Sequence, residues 1–283
     1  MAYDYQTLQI KNNQGVLTAI INNPPVNVMT DALYMDLVGF TSEVEQDASV
    51  KVVVFQSADP DFFIAHFDVE TILKFETDAP AEKSLDFSDF HLMCERVRTM
   101  PKATIVKMAG RAGGGGNEFA SSCDMRFGLK GKTIINQMEV ALGILPGGTG
   151  TQRLPRLVGR GRAMEICLGS DDIDAETAAQ WGYLNRVFDS ENELDDFVDS
   201  LSKRIACWPA EAIALCKASI NNAEMPLSEG LLEEAFLFQK TLRTEGAQQN
   251  MRKAMAMGLQ TREGELRMGA LCYEFAQAAN DED

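Results

Sequence analysis

The chain has 283 residues, of which 45% are hydrophobic and 24% charged, and its formal net charge is −16. This composition is typical of a soluble globular protein, and the negative charge argues against nucleic acid because phosphate binding needs a concentrated basic surface. The sequence contains no run of about 18 apolar residues, the length that a membrane span needs. It therefore predicts one large or two modest domains, with neither nucleic acid nor membrane as a partner.

Targeting and metal signals are also weak in this sequence. Its first residues, MAYDYQTLQIKNN, carry neither the basic start nor the apolar run of a signal peptide. The six cysteines are scattered without a C-x-x-C pair, and the two histidines are His66 and His91. These features predict a cytoplasmic protein with reduced thiols and no metal site.

Strands alternate with helical patterns through the first two-thirds of the chain. LQIKN and VLTAIIN flank the turn NNQG and predict a hairpin. TDALYMDLVGFTSEVEQD predicts a helix that Thr30 caps, and VKVVVFQS and KATIVKMAG predict two buried strands. This order predicts an α/β fold in which helices cover a mainly parallel sheet.

The last third of the chain has helical patterns. Two stretches, residues 191–208 and 226–242, place apolar residues on one helical face each: Leu194, Phe197, Val198, Leu201 and Ile205 in the first, and Leu227, Leu231, Ala235, Phe238 and Leu242 in the second. We expect an α/β core over residues 1–189 and a C-terminal helical subdomain over 190–283. That subdomain packs either on the core or on a neighbouring subunit. The irregular segment 75–90 is either a flexible lid or a plain surface loop.

Four consecutive glycines at 113–116 stand between the strand TIVKMAG and the helical stretch NEFASSCD. Glycine lets another group approach the backbone closely, and N–H groups at a strand-to-helix turn have no partner within the helix. The run suits an anion, permanent or developing in a reaction, although a flexible turn or close helix packing would use the same glycines. Neither the P-loop pattern nor the dinucleotide pattern G-x-G-x-x-G fits it.

Two further stretches give the glycine run a family context. FFIAHFD follows the strand VKVVVFQS, and INQMEVALGILPGGTGTQRLPRLVG covers residues 135–159. Together with AGRAGGGGNE they resemble the crotonase family of enoyl-CoA hydratases and isomerases, whose motifs are F-x-A-G-x-D, G-G-G-x-E and Q-x-E-x-x-x-G-x-x-P-G-x-x-G-T-Q-R-L. The resemblance covers roughly residues 5–260. It implies an α/β, crotonase-like (ClpP/crotonase) fold, a repeated ββα spiral core with a C-terminal helical trimerisation region.

The resemblance also implies a binding site for a coenzyme A thioester. The backbone N–H groups of Phe67 and Gly115 would form an oxyanion hole for the thioester carbonyl oxygen. Other residues of the same motifs would line the substrate and coenzyme site: Ala65, His66, Asp68, Gly114 and Gly147. Coenzyme A would enter as part of the substrate, so no separate cofactor is expected.

Glu118 and Glu139 are the catalytic residues that the resemblance implies. In hydratases of this family, two glutamates at these positions hold one water. One takes its proton as the oxygen attacks Cβ, and the other delivers a proton to Cα, which suits carboxyl groups in different protonation states. The presence of both acids favours an enoyl-CoA hydratase. The alternatives are a crotonase-fold isomerase or hydratase–lyase, and a non-catalytic acyl-CoA binder.

The sequence departs from the family pattern at His66, which replaces the motif glycine, and the bulky Phe67 follows it. Histidine tolerates unusual backbone angles better than most residues. We interpret His66 as a loop residue that lines the coenzyme site rather than as a catalytic base, and Asp68 could simply cap the next helix. Because the family assembles as trimers, usually paired into hexamers, we expect a homotrimer or a dimer of trimers.

Overall fold

The computed structural model describes residues 3–280. Its strands are β1 (Leu8–Asn13), β2 (Val16–Ile21), β3 (Val52–Ser57), β4 (Phe62–Ile64), β5 (Ala103–Met108), β6 (Arg111–Gly113), β7 (Met125–Leu129), β8 (Ile134–Asn136), β9 (Ile173–Asp174) and β10 (Arg186–Phe188). Its helices are α1 (Asp31–Gln46), α2 (Val69–Ile72), α3 (Asp89–Thr99), α4 (Gly114–Ser122), α5 (Gly150–Val158), α6 (Arg160–Gly169), α7 (Ala175–Gln180), α8 (Glu191–Ala206), α9 (Ala210–Asn221), α10 (Leu227–Leu242), α11 (Glu245–Ala256), α12 (Arg262–Leu266) and α13 (Met268–Asn280). Short 3₁₀ turns span Val140–Leu142 and Asn222–Glu224.

Two sheets organise the core. The larger has the strand order β1-β2-β3-β5-β7-β10 and is parallel except for the β1–β2 pair. The smaller has the order β4-β6-β8-β9, with β8 and β9 antiparallel. The successive pairs β3–β4, β5–β6 and β7–β8 each place their first strand in the larger sheet and their second in the smaller one. This pattern confirms the predicted α/β class and its repeated ββα core.

The predicted hairpin and first helix are both confirmed. Asn13 pairs with Val16, so the hairpin turns through Gln14 and Gly15, whose φ angles of 50° and 83° suit the twist of a two-residue loop. Helix α1 follows Thr30, whose hydroxyl accepts a hydrogen bond from the backbone N–H of Leu33. The apolar face of this helix is buried.

A chain of aromatic rings fixes helix α4 in the core. Phe55 of β3 lies edge to face with Phe40 of α1 at 5.9 Å and with Phe119 of α4 at 5.0 Å. All three side chains are fully buried. Because α4 begins at the glycine run, this packing also sets the position of the glycines.

Helix α8 packs on the other face of the larger sheet. Leu194 and Val198 join a cluster with Val52 and Val54 of β3, whose neighbours Val53 and Phe55 belong to the main core. Alternate residues of a strand point to opposite faces, so α8 covers the face that α1 and α4 leave free. The predicted helix is confirmed and lies on the α/β core, while the domain boundary after residue 189 stays a prediction.

The apolar face of helix α10 is exposed in the single chain. Leu227 is 78% exposed, Leu231 53% and Phe238 65%. Ala235 and Leu242 are exposed as well. These side chains therefore do not pack on the α/β core, and their cover by a neighbouring subunit stays a prediction.

The segment between α2 and α3 lies on the surface, and Leu85 and Phe87 in it are 99% and 65% exposed. Whether it acts as a lid stays a prediction. The six cysteines form no disulfide within residues 3–280. Across residues 3–280, the structure contains no helix that is both long enough and apolar enough to cross a membrane.

We expect the purified protein to form trimers or hexamers, because a second subunit would remove the exposed α10 face from water. Light scattering should give a mass that is a multiple of three chains, and Phe238→Asp should shift it toward smaller species. Glu229→Gln is the matched control, since at 100° per residue it lies on the opposite side of the helix. A wild-type monomer at micromolar concentration would contradict this expectation.

Candidate active site

The glycine run brings the start of helix α4 against the loop after β4. A Cβ on Gly113 would lie 2.5 Å from the Ala65 carbonyl oxygen, and one on Gly116 would lie 2.3 Å from the Ile64 carbonyl oxygen. Gly114 has a φ of +45°, which favours glycine. The close approach therefore requires residues without side chains. Because the glycines begin helix α4, its first N–H groups have no acceptors within the helix.

The two backbone donors expected from the sequence, Phe67 and Gly115, lie side by side. A Cβ on Gly115 would lie 2.9 Å from Phe67 Cβ and 3.4 Å from the Phe67 backbone nitrogen. Met29 bridges the residues around Phe67: its N–H donates to the His66 carbonyl at 2.8 Å, and its carbonyl accepts from the Asp68 N–H at 3.1 Å. In a parallel bridge of this kind the Phe67 N–H points away from Met29.

Asn27 supports the same loop and is not among the residues that the sequence singled out. Its side-chain nitrogen donates to Ser57 Oγ at 2.8 Å and to the carbonyl oxygens of Phe62 and Phe63 at 3.2 Å. Its own carbonyl accepts from the Ala65 N–H at 3.3 Å. A buried asparagine thus replaces regular sheet pairing where the loop leaves β4.

Glu118 is a buried carboxyl group that accepts hydrogen bonds from the N-terminus of helix α5. Its Oε1 accepts three backbone hydrogen bonds, from Gly148 at 2.8 Å, Thr149 at 2.9 Å and Gly150 at 2.8 Å. These groups form the start of helix α5, whose N-terminus favours negative charge. Burial raises the pKa of Glu118, and the three N–H groups oppose that shift because they stabilise the carboxylate.

Glu139 has a contrasting environment. Its Oε2 is buried and has no hydrogen-bond partner within residues 3–280. Burial, with a contribution from the nearby charge of Glu118, raises the pKa of Glu139 to about 7. The two acids therefore differ in their surroundings: three N–H groups stabilise the carboxylate of Glu118, whereas Glu139 Oε2 has no such donor within residues 3–280.

The structure brings most of the expected site residues together around Gly114. A Cβ on Gly114 would lie 2.7 Å from Glu139 Oε1 and 3.5 Å from His66 Cβ. The buried Gln137 side-chain amide, oriented with its nitrogen toward the turn, donates to the Gly114 carbonyl at 3.1 Å. The glycine turn therefore touches both the second acid and the loop of the proposed oxyanion hole.

The remaining expected residues have simpler surroundings. Ala65 is buried under Gly113. His66 Nδ1 lies 2.8 Å from the Phe67 carbonyl, so that nitrogen is the protonated one. Asp68 caps helix α2 by accepting from the Glu70 N–H at 2.9 Å, the simple role considered for it. Gly147 is exposed and precedes the three N–H groups that hold Glu118.

Those three donors were not identified from the sequence. The run PGGTG ahead of α5 is the signal that could have indicated them, because a glycine-rich helix start is a site for an anion. The anion in this structure is a side chain of the same protein, 30 to 32 residues away. Such a pairing is visible only once α4 and α5 are placed together.

A cavity of about 660 Å³ lies behind the C-terminal end of α4, between α5, α8 and α9. Glu118 and Glu139 are not among its lining residues. Two ion pairs line it, Lys217 at 2.9 Å from Asp124 and Arg156 at 3.3 Å from Glu224. This cavity is therefore separate from the place where the two acids meet.

The chain is similar to known proteins over nearly its whole length. A family model described as enoyl-CoA hydratase/isomerase matches residues 11–263. The chain is 32% identical over 244 residues to the mitochondrial enoyl-CoA hydratase of Pongo abelii, covering 85% of this chain and 81% of that protein. It is 28% identical over 250 residues to a crotonyl-CoA hydratase of Syntrophomonas wolfei, covering 87% and 94%. The span matched by the family model contains every site residue named above.

Solved structures show the same fold. A candidate enoyl-CoA hydratase from Streptomyces avermitilis has a TM-score of 0.70 at 38% identity, covering 97% of this chain and 100% of that chain. The enoyl-CoA hydratase from Bacillus anthracis has a TM-score of 0.79 at 25% identity, covering 87% and 95%. These similarities confirm the fold that the sequence resemblance implied.

The raised pKa of Glu139 predicts a dependence of stability on pH. A carboxyl group whose pKa rises from 4.5 to about 7 on folding binds its proton more tightly in the folded state. The free energy of unfolding therefore falls as the pH rises from about 4.5 to 7. Glu139→Gln should remove this loss, so we expect the variant to exceed wild type by roughly 2–3 kcal/mol at pH 8 and to match it near pH 4.

Urea denaturation at the two pH values measures this difference. The comparison at low pH is the internal control, because there the wild-type carboxyl group is mostly protonated in both states. A stability difference that is the same at pH 4 and pH 8 would contradict the raised pKa.

Proposed function

Because the chain belongs to the enoyl-CoA hydratase/isomerase family, we propose that it is an enoyl-CoA hydratase, which adds water across a 2-enoyl-CoA to give a 3-hydroxyacyl-CoA. The observation that carries this proposal is the pair of buried acids with contrasting environments. Glu118 is held by three N–H groups, whereas Glu139 has an unpartnered oxygen and a pKa raised to about 7. Hydration needs one proton acceptor and one proton donor.

In the proposed mechanism, the thioester carbonyl oxygen lies between the N–H groups of Phe67 and Gly115. Water attack at Cβ moves negative charge onto this oxygen and forms an enolate. Fixed donors stabilise such a charge without reorganising, and each is typically worth about 2.7–4 kcal/mol. The absence of a side chain at Gly115 lets the thioester approach the backbone, which supports this placement.

Glu118 is the proposed base. Its Oε1 is occupied by three backbone donors, so Oε2 is the atom that takes a proton from the attacking water. Glu139 is the proposed acid, because its raised pKa keeps a large protonated fraction near neutral pH. It delivers that proton to Cα of the enolate, and proton exchange with solvent then resets both groups.

The proposed reaction uses no separate cofactor, since coenzyme A enters as part of the substrate and side chains carry both protons. An acyl-CoA thioester is thus the proposed small-molecule partner. A double-bond isomerase would move a proton between Cα and Cγ and can use a single acid, and a hydratase–lyase would also cleave the acyl chain. The variants of the two acids distinguish the hydratase from the isomerase and from a non-catalytic acyl-CoA binder, and the appearance of a shortened acyl-CoA product would indicate the hydratase–lyase.

Replacing either acid should reduce hydration strongly. Glu118→Gln and Glu139→Gln keep the size of the side chain but remove its capacity for proton transfer. We expect kcat for hydration of crotonyl-CoA to fall by about 10²–10⁴ in each variant, while affinity for a saturated acyl-CoA changes little. Absorbance of the conjugated thioester measures the rate, and calorimetry measures binding.

The pattern across the two variants identifies the reaction. Wild-type rates in both variants would overturn the assignment of the acids. A loss in only one would favour the isomerase, and wild-type binding without turnover of any enoyl-CoA would favour the non-catalytic binder.

Gly115→Ala tests the oxyanion hole. The variant keeps the N–H group, but its methyl group would lie 2.9 Å from Phe67 Cβ and so push the two donors apart. We expect hydration and the exchange of α-protons with deuterated solvent to fall together, by up to the ~10²–10³ that loss of one donor causes. NMR follows the exchange in a saturated acyl-CoA, where no water addition takes place.

Gly161→Ala on helix α6 is the matched control, because nothing lies within 4 Å of the added methyl group. Both variants must retain the wild-type circular dichroism spectrum and oligomer size. If the folded Gly115→Ala variant keeps both activities while the control also does, the glycine run acts only in packing.

A further inference from the structure

The loop that carries the proposed oxyanion donor has a large side chain, and two other rings hold it. The Phe67 ring lies edge to face with Tyr34 at 6.0 Å and with Phe90 at 5.9 Å. Tyr34 and Phe90 stack on each other at 6.1 Å with only 7° between their planes. Both arrangements are favourable for aromatic rings. We call Tyr34, Phe67 and Phe90 the aromatic triad.

The aromatic triad joins the loop to two helices of the core. Tyr34 belongs to α1, and Phe90 belongs to the first turn of α3. All three side chains are half-buried and pack against the main core. Helix α1 is itself anchored by Leu33 and Leu37, which are fully buried. The Phe67 ring is therefore held by rigid elements that are distant in sequence.

The aromatic triad lies next to both the proposed oxyanion hole and the proposed base, Glu118. At one end, the Phe67 Cβ packs against the backbone of Gly115. At the other end, a Cβ on Gly148 would lie 2.7 Å from Phe90 Cε1 and 2.3 Å from Glu118 Oε2. The edge of Phe90 thus lies beside the oxygen of Glu118 that takes no backbone hydrogen bond.

Backbone hydrogen bonds set the direction of the Phe67 N–H group. The planar peptide that joins His66 to Phe67 is held by the hydrogen bond from the Met29 N–H to the His66 carbonyl, so the Phe67 N–H points away from Met29. The Phe67 carbonyl has a contact with His66 Nδ1, a side chain of the same loop. The Phe67 ring is held from two sides by the other two rings of the aromatic triad. Because the ring and the N–H group share one Cα, restraining the ring limits displacement of this N–H group relative to Gly115.

We infer that Tyr34 and Phe90 are positioning residues, which hold the Phe67 N–H beside the Gly115 N–H by packing on the Phe67 ring. The inference rests on the proposed function, since it concerns the oxyanion hole of that reaction. An oxyanion donor is effective only when its position is fixed before charge develops. The hydrogen bonds to Met29 set the direction of the Phe67 N–H, and the aromatic triad joins the loop that carries it to helices α1 and α3.

The infrared frequency of the carbonyl stretch of a bound thioester falls when the two donors hydrogen-bond to its oxygen, so it measures how well they are placed. Butanoyl-CoA labelled with ¹³C at the thioester carbonyl is bound to the full-length protein, and difference infrared spectra measure its downshift. We expect Phe90→Ala and Tyr34→Ala to reduce the downshift and to lower kcat for hydration by about tenfold or more. The affinity for butanoyl-CoA should change by less than about threefold, because ground-state binding is not what these residues control.

Tyr34→Phe keeps the ring and should retain the wild-type downshift and rate. Phe87→Ala is the matched control, since it removes the same ring three positions before Phe90, where the side chain is 65% exposed and outside the triad. If Phe90→Ala fails to fold, Phe90→Leu replaces it, because leucine keeps apolar volume without a ring and should also reduce the downshift.

The outcomes separate this inference from the proposed function. A wild-type protein that binds butanoyl-CoA with no downshift would overturn the oxyanion hole itself. A wild-type downshift that stays the same in folded Phe90→Ala or Phe90→Leu and in Tyr34→Ala, with unchanged kcat, would overturn the positioning role alone. A reduced downshift in Phe87→Ala would also count against it, because the effect would then not depend on the triad.

Discussion

The close contact between the glycine run and the loop after β4 is the constraint on which the site depends. Side chains at Gly113 or Gly116 would collide with carbonyl oxygens of that loop at 2.3 to 2.5 Å. The ring contacts of Phe119 hold α4 in this position from the core side. The contact therefore requires glycine on one side and a fixed loop on the other, and it places the Phe67 and Gly115 N–H groups next to each other.

The N-termini of α4 and α5 both lie near this contact, and they differ in the negatively charged group that they bind. The start of α5 is occupied by the Glu118 side chain of the same chain. The start of α4 has no side-chain cap within residues 3–280, and in the proposed mechanism its N–H groups bind a developing enolate. Glu118 has three backbone donors and Glu139 Oε2 has no partner within residues 3–280. In the proposed mechanism this difference separates the base, Glu118, from the acid, Glu139.

The departure from the family motif at His66 and Phe67 is accommodated by packing. His66 bonds to the carbonyl of its neighbour within the loop, and its own carbonyl accepts from Met29. The Phe67 ring packs on rings of α1 and α3 rather than on residues of its own loop. A bulky residue at this position therefore connects the loop after β4 to two helices, which a small residue could not do.

Local sequence patterns predicted the hairpin, helix α1, strands β3 and β5 and helix α8, all of which are confirmed. Spaced motifs also predicted the two acids and two donors, whose roles stay proposals. These features follow from local periodicity, capping and motif spacing, which lie within a short stretch of chain. Only the tertiary structure decided which N–H groups hold Glu118, which rings hold Phe67, and that the α10 face stays uncovered. The short strands of the smaller sheet belong to the same group, because two or three residues carry no periodicity. Each of these depends on contacts between residues far apart in the chain, and packing alone sets such contacts.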